Sequence, residues 1–236
     1  MDDFMKKILL IMLLMSTHSF AENLKCLNSY ETLRNIQDEG INILENGTIK
    51  QVLDFNEQYD YANLYKNKHP GKGYWMDDWV DDDIAKTSLI VLATSVKSGK
   101  FKIINYTLTK PKANFISSVG EVCVIPVQST GIYYDEEGTT NADIIFVRDL
   151  KSNLWRIYSY YGSERKEYFN EFFPDFPKSI KLSASSTIYK SGHKLTSIDV
   201  AQKIFKDMGV EMPPEVLINL QKSEKEAEAR KKLNGF

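Results

Sequence analysis

Five aspartates within seven residues, Asp77, Asp78, Asp81, Asp82 and Asp83, form the densest group of chemistry-bearing side chains in the sequence. Carboxylates at that density suit a hard cation such as calcium, which takes about six to eight oxygen ligands. The spacing lacks the glycine that bends an aspartate-rich calcium loop, however, and acidic residues also favour the start of a helix without any metal. A solvated helix start is the better account, and no metal or other cofactor is expected. Tyr74, Trp75 and Trp79 are interleaved with these acids, and Tyr59, Tyr61 and Tyr65 come shortly before. Aromatic side chains with a polar tip are enriched at binding surfaces. Trp75, Asp77, Asp78 and Trp79 are therefore candidates to dock a basic partner protein, against the plainer reading in which the aromatics complete a core.

Nucleophiles and bases are sparse. His69, two residues before Gly71, and His193, next to Gly192, both lie in loop-like contexts, which suits surface residues better than general bases. No nucleophile elbow, phosphate-binding loop, His-Glu-x-x-His or Cys-x-x-Cys motif occurs, which argues against the commonest hydrolase and nucleotide-dependent classes. The formal charge of −2 gives no bulk attraction to nucleic acid, so none is expected as a partner.

Residues 1–21 read as a secretory leader. Lys6-Lys7 precedes the apolar run Ile8–Met15, and Ser19 and Ala21 place small residues before a cleavage point at Glu22. Met5 as the initiator would remove the out-of-place Asp2 and Asp3. Eight apolar residues fall far short of the ~20 of a spanning helix, so no membrane anchor is expected after cleavage. Export to a periplasm, or secretion, gives Cys26 and Cys123 a meaning. They are the only two cysteines, and an oxidising compartment predicts a disulfide between them, preferred over Cys123 as a nucleophile.

The elements that must position these residues follow from periodicity. Helices are expected from Ser29 to about Asn46, from Thr48 onward with a kink through Tyr59–Tyr65, and from Ile84 to about Lys97. Four segments rich in Val, Ile, Phe, Tyr and Thr then predict an antiparallel meander: Phe101–Thr109, Val119–Tyr134, Ala142–Asp149 and Leu154–Tyr161. Turns are expected at Lys110-Pro111, Asp135–Gly138 and Lys151–Asn153. After Gly162 come a short helix to Phe172, a proline-flanked bend at Phe173–Pro177, a Ser-rich linker at Ser183–Gly192, and two helices ending in the charged run Lys222–Lys232. The fold class is α+β: N-terminal helices packed on one face of a curved antiparallel sheet, with a helical extension after residue 162.

Three helical segments before a meander, with Phe146-Val147-Arg148-Asp149 turning into Trp155-Arg156-Ile157, resemble the nuclear-transport-factor-two-like superfamily, the cystatin-like α+β cone. The resemblance covers about Ser29–Gly162 and implies a bent sheet wrapped around helices, with a cavity open at one end. Enzymes of that superfamily work with a buried Asp or His beside Tyr, but no such pair maps here residue by residue. The expectation is an exported, non-catalytic binding protein, which engages a partner protein (an immunity or inhibitor role included) or an apolar small molecule. The alternative is a cavity enzyme of isomerase or dehydratase type. Tyr59, Tyr61, Tyr106, Tyr158 and Tyr160 are the candidate ligand contacts, at least one of the tyrosines near 160 facing inward and one outward.

Overall fold

The computed structural model describes residues 25–69, 82–164, 166–192, 195–207 and 209–234. Trp75, Asp77, Asp78, Trp79, Asp81 and His193 lie outside them. The chain is an α+β protein built on a six-stranded, open antiparallel sheet. Among the described residues, a short 3-10 turn (Leu27–Ser29) and four α-helices precede it: α1 (Tyr30–Asn46), α2 (Ile49–Tyr59), α3 (Tyr61–Lys68) and α4 (Asp82–Lys97). Thr48 starts α2 with a capping box. Its hydroxyl accepts from the Gln51 N–H, and the Gln51 side chain accepts from the Thr48 N–H at 2.7 Å. Such a cap contributes about 1 kcal/mol and fixes where α1 stops and α2 begins.

The strands are β1 (Phe101–Leu108), β2 (Ala113–Ser117), β3 (Gly120–Tyr133), β4 (Glu136–Arg148), β5 (Trp155–Tyr160) and β6 (Ser186–Tyr189). β3 and β4 form one long hairpin in continuous register from Glu121↔Arg148 to Tyr133↔Glu136. β1 and β2 share the outer edge of β3, end to end, and β5 and β6 share the outer edge of β4 in the same way. The two long strands are thus flanked on both sides. Their unbroken apolar runs at 122–127 and 144–147 fit strands covered on both faces, where an alternating pattern would mark a strand wetted on one face.

Two expectations from the sequence change here. The hairpin turn is the pair Tyr134-Asp135, both in left-handed backbone (φ 49° and 71°), the geometry of a two-residue turn matched to strand twist. Glu136–Gly138 are strand, not turn. Gly138 is needed because β6 crosses close: a Cβ there would sit 3.0 Å from the Tyr189 ring and 3.1 Å from the Thr187 methyl. The Ser-rich segment is likewise no simple linker, since Ser186–Tyr189 is β6, paired to Gly138–Asn141. β2 is an additional strand, paired to Gly120–Val124.

The helices also divide between faces. Leu33 and Ile36 of α1, with Phe55 and Tyr59 of α2, pack on Cys123, Ile125, Val127, Ile144 and Phe146. Tyr61 and Tyr65 of α3 pack on the opposite face, against Val122, Val124, Ile145, Val147, Tyr158 and Tyr160. That second face is closed by α5 (Lys166–Phe172) and the following bend, which bring Phe169, Phe172, Phe173 and Phe176 onto it. The sheet is therefore covered on both sides, and α3 crosses to the side the sequence reading left open. Two further helices, α6 (Ser197–Asp207) and α7 (Pro214–Leu233), dock on the margins. Lys203 of α6 donates to the Tyr134 carbonyl, and Arg230 of α7 donates to the Ser163 carbonyl at 2.8 Å.

One end of the α1–α2 face is clamped. Cys26 and Cys123 are fully buried and at disulfide-bonding distance, their Cα atoms 5.8 Å apart. Beside them Glu121, also fully buried, accepts from the backbone N–H of Lys25 (2.6 Å) and Cys26 (2.8 Å). Its second oxygen accepts from Arg148 Nε at 2.6 Å, and Arg148 lies over the buried Trp155 ring. A buried carboxylate with this many donors is fully compensated, which is the condition for burying an ion pair without large cost.

Candidate functional site: a cavity between the helices and the sheet

A cavity of about 720 Å³ lies between α1, α2 and α4 on one side and β1, β3, β4 and β5 on the other. Its walls are mainly apolar, with Ile41, Leu44, Phe55, Leu92, Ile144 and Ile157 prominent. Its size and composition are those of small-molecule sites, which are concave and mostly apolar with a few placed polar groups. Helix periodicity explains the helix wall. Residues 37, 40, 41 and 44 fall on one stripe of α1, and 52, 55, 56 and 59 on one stripe of α2.

The polar groups gather at two ends. At the β1 end is Tyr106, whose hydroxyl is buried without a hydrogen-bond partner among the described residues. Burial, with Asp38 adding repulsion, raises its pKa, so it remains a neutral phenol able to donate. At the β5 end are Asp60 and Glu164 with Tyr59, Tyr158 and Tyr161. Asp60 breaks the helix between α2 and α3: its backbone bridges Ile157 of β5, and its carboxylate caps α3 by accepting from the Ala62 N–H at 2.7 Å. Desolvation raises the Asp60 pKa, and the backbone bonds at Ala62 and Asn63 oppose it. Glu164 accepts from the Tyr161 N–H at 2.6 Å through Oε1. Its Oε2 is buried with no partner among the described residues, and desolvation raises its pKa as well. The loop carrying it is held by α7, where Asn234 donates to the carbonyls of Gly162 (3.0 Å) and Glu164 (3.1 Å).

The tyrosines proposed from sequence separate in space. Tyr59, Tyr106 and Tyr158 line this cavity. Tyr158 does so from the edge strand, its ring packed on Phe172 and Phe173 and its hydroxyl pKa raised first by desolvation. Tyr61 and Tyr160 belong to the opposite face, where the ring of Tyr158 packs as well, so Tyr158 reaches the cavity only at the sheet edge. Tyr61 stacks on Phe173 and donates to the Phe172 carbonyl at 3.2 Å, and Tyr160 packs on Phe169, its pKa pushed up to about 12 by burial. Tyr158 and Tyr160 are buried while Tyr161 is 58% exposed, the alternation expected of a strand end. Asp60 and Glu164 were not singled out from the sequence. A lone carboxylate at a helix break and another after a glycine carry no spacing signal of their own, although Asp60 stands where the second helix was expected to kink.

A second cavity of about 550 Å³ opens on the opposite face, lined by Tyr61, Tyr65, Lys68, His69, Asp149 and Leu150 among others. Here the polar groups serve each other. Lys68 bonds Asp149 at 2.7 Å, and His69 stacks on Tyr65 with its Nδ1 3.0 Å from the Tyr65 carbonyl. Among the described residues no group of three or more His, Cys, Asp or Glu could hold a metal ion, and no helix is long and apolar enough to cross a membrane. No family model matches the chain, and neither a curated protein nor a solved structure is found similar to it.

Proposed function

We propose that this is an exported binding protein that takes a largely apolar small molecule into the cavity beneath α1, α2 and α4. The observation that carries the reading is the pairing of a mainly apolar space of about 720 Å³ with two buried polar atoms, Tyr106 Oη and Glu164 Oε2, that have no partner among the described residues. A buried polar atom left unpaired costs about 1–3 kcal/mol, a cost that a ligand completing those bonds would remove. Export is supported by the leader-like residues 1–21 and by two cysteines at bonding distance. Kinship with the nuclear-transport-factor-two-like cone belongs to the same reading, supported by helices before a meander and a cavity beneath them.

The second reading, a cavity enzyme of isomerase or dehydratase type, rests on Glu164. Asp60 is committed as a helix cap, but Glu164 Oε2 is buried without a partner among the described residues beside Tyr158 and Tyr161, where it would serve as the base.

The test uses the neutral apolar dye N-phenyl-1-naphthylamine, whose fluorescence rises in apolar surroundings. One saturable site per chain is expected. Ile41→Trp, which fills the cavity from α1, should abolish it, while Leu150→Trp, at the cavity on the other face, should leave it intact. No saturable uptake, or uptake indifferent to Ile41→Trp, overturns the reading.

A further inference from the structure

The charges at the β5 end of the cavity are of one sign. Asp60 and Glu164 line it, and no Lys, Arg or His is among the described residues that line it. Lys231 of α7 acts on Glu164 from outside the lining. Tyr59 and Tyr161 stand at the same end, and Tyr161 is influenced by both carboxylates. Carboxylates flanked by aromatic rings are the chemistry that recognises an organic cation: the acids supply charge, and the rings present their negative faces. A carboxylate ligand in the same place would meet two like charges, with Lys231 the one cation among the described residues shown to act there and only from outside the lining.

The rest of the cavity describes the remainder of the ligand. From β5 to β1 there are three inter-strand steps through β4 and β3, ~14 Å at the usual spacing. The path between them is walled by Ile144 and Ile157 below and by Leu44, Phe55 and Leu92 above. It ends at Tyr106, on β1 opposite Ser129. The space is thus charged at one end, mainly apolar along its length, and closed by the neutral Tyr106 and Ser129 at the other.

We infer that the occupant is an organic cation with an apolar chain, an alkylammonium and not a fatty acid, its head between Asp60 and Glu164 beside Tyr59 and Tyr161 and its chain running toward Tyr106. This rests on the small-molecule reading above and names the ligand class for that same cavity.

The experiment competes decylammonium, decanoate and decanol, each below its micelle concentration, against bound N-phenyl-1-naphthylamine on the full mature chain at neutral pH. Decylammonium should displace the dye at a concentration about tenfold lower than decanoate, with decanol between them. Glu164→Gln keeps an acceptor for the Tyr161 N–H, and Asp60→Asn keeps the cap of α3. Each should shrink that preference to about threefold or less, read as the ratio of decylammonium to decanoate displacement so that a change in dye affinity cancels, while a cooperative melting transition persists. Equal displacement by all three, a preference for decanoate, or a preference unchanged in both variants overturns the inference and leaves the cavity reading standing. If the dye itself finds no site, the cavity reading falls and takes the inference with it.

Discussion

The two faces of the sheet are built by alternate residues of the same strands, and each borders a cavity. Lys68 and Asp149 pair in one, while Tyr106 Oη and Glu164 Oε2 in the other have no partner among the described residues. On the α3–α5 face, Phe169, Phe172, Phe173 and Phe176 interlock with Tyr61, Tyr158 and Tyr160, ring centroids mostly 5–6 Å apart, and the polar tip of Tyr61 has a partner. On the α1–α2–α4 face the same sheet borders a cavity with two orphaned polar atoms. The clamp at Cys26, Cys123, Glu121 and Arg148 sits on the side with the cavity. The contrast teaches a division of labour. Aromatic packing holds one face, and covalent and ionic ties at the margin of the other sit beside a core that leaves a cavity.

Breaking the ties should cost most. Replacing both Cys26 and Cys123 by serine frees a chain segment of 97 residues and is expected to lower stability by about 4 kcal/mol or somewhat less, read as a shift in the urea midpoint. Next in size is Phe173→Ala on the packed face, expected to cost about 3–4 kcal/mol because neighbours held by a ring lattice collapse only partly. Ile41→Ala, at the half-buried cavity wall, should cost well under half of that. Equal losses at the two sites would dissolve the comparison.

A smaller effect of opposite sign is expected at Tyr106. Tyr106→Phe removes a buried hydroxyl without a partner among the described residues, so stability should hold or rise by up to ~1 kcal/mol while ligand affinity falls. A loss of stability there would show that the hydroxyl has structural work.

The smallest differences concern pH. Asp149, on the packed side, has its pKa lowered below 3.8 first by its bond to Lys68, so its contribution is present above that ordinary value and is lost as pH falls below it. Lys68→Met should blunt the acid-side decline. Glu164, in the cavity, has a pKa raised above 4.5 by desolvation, so its burial is destabilising at neutral pH and is relieved as pH falls through the raised value. Glu164→Gln should therefore raise the melting temperature at pH 7 and change little at pH 4. The same direction of change in both variants across the pH range would contradict these assignments.

Much of the scaffold was legible in the residues. The caps at Thr48 and the stop at Gly47, the four principal strands and the two cysteines each carry a local signature. Three things lacked one. β6 hides in a polar segment because its pairing is mostly backbone to backbone, with Ile188 left 70% exposed. The turn at Tyr134-Asp135 lacks the usual glycine, and the glycine that suggested a later turn, Gly138, exists for the close passage of β6. The side to which α3 crosses is settled by Asp60, a single residue where the backbone leaves the helix to bridge Ile157.

The sequence by itself determined the class of the fold, the succession of helices and meander, and the partners of the cysteines, because periodicity, capping and scarcity are local or countable properties. Only the tertiary structure decided which tyrosines share a space. Tyr59 and Tyr61 are two residues apart, yet they end on opposite faces of a sheet, while Tyr106 and Glu164 line one cavity. The sign of charge in that cavity was decided there too, since it depends on which side chains packing leaves without partners, and packing is a property of the whole chain.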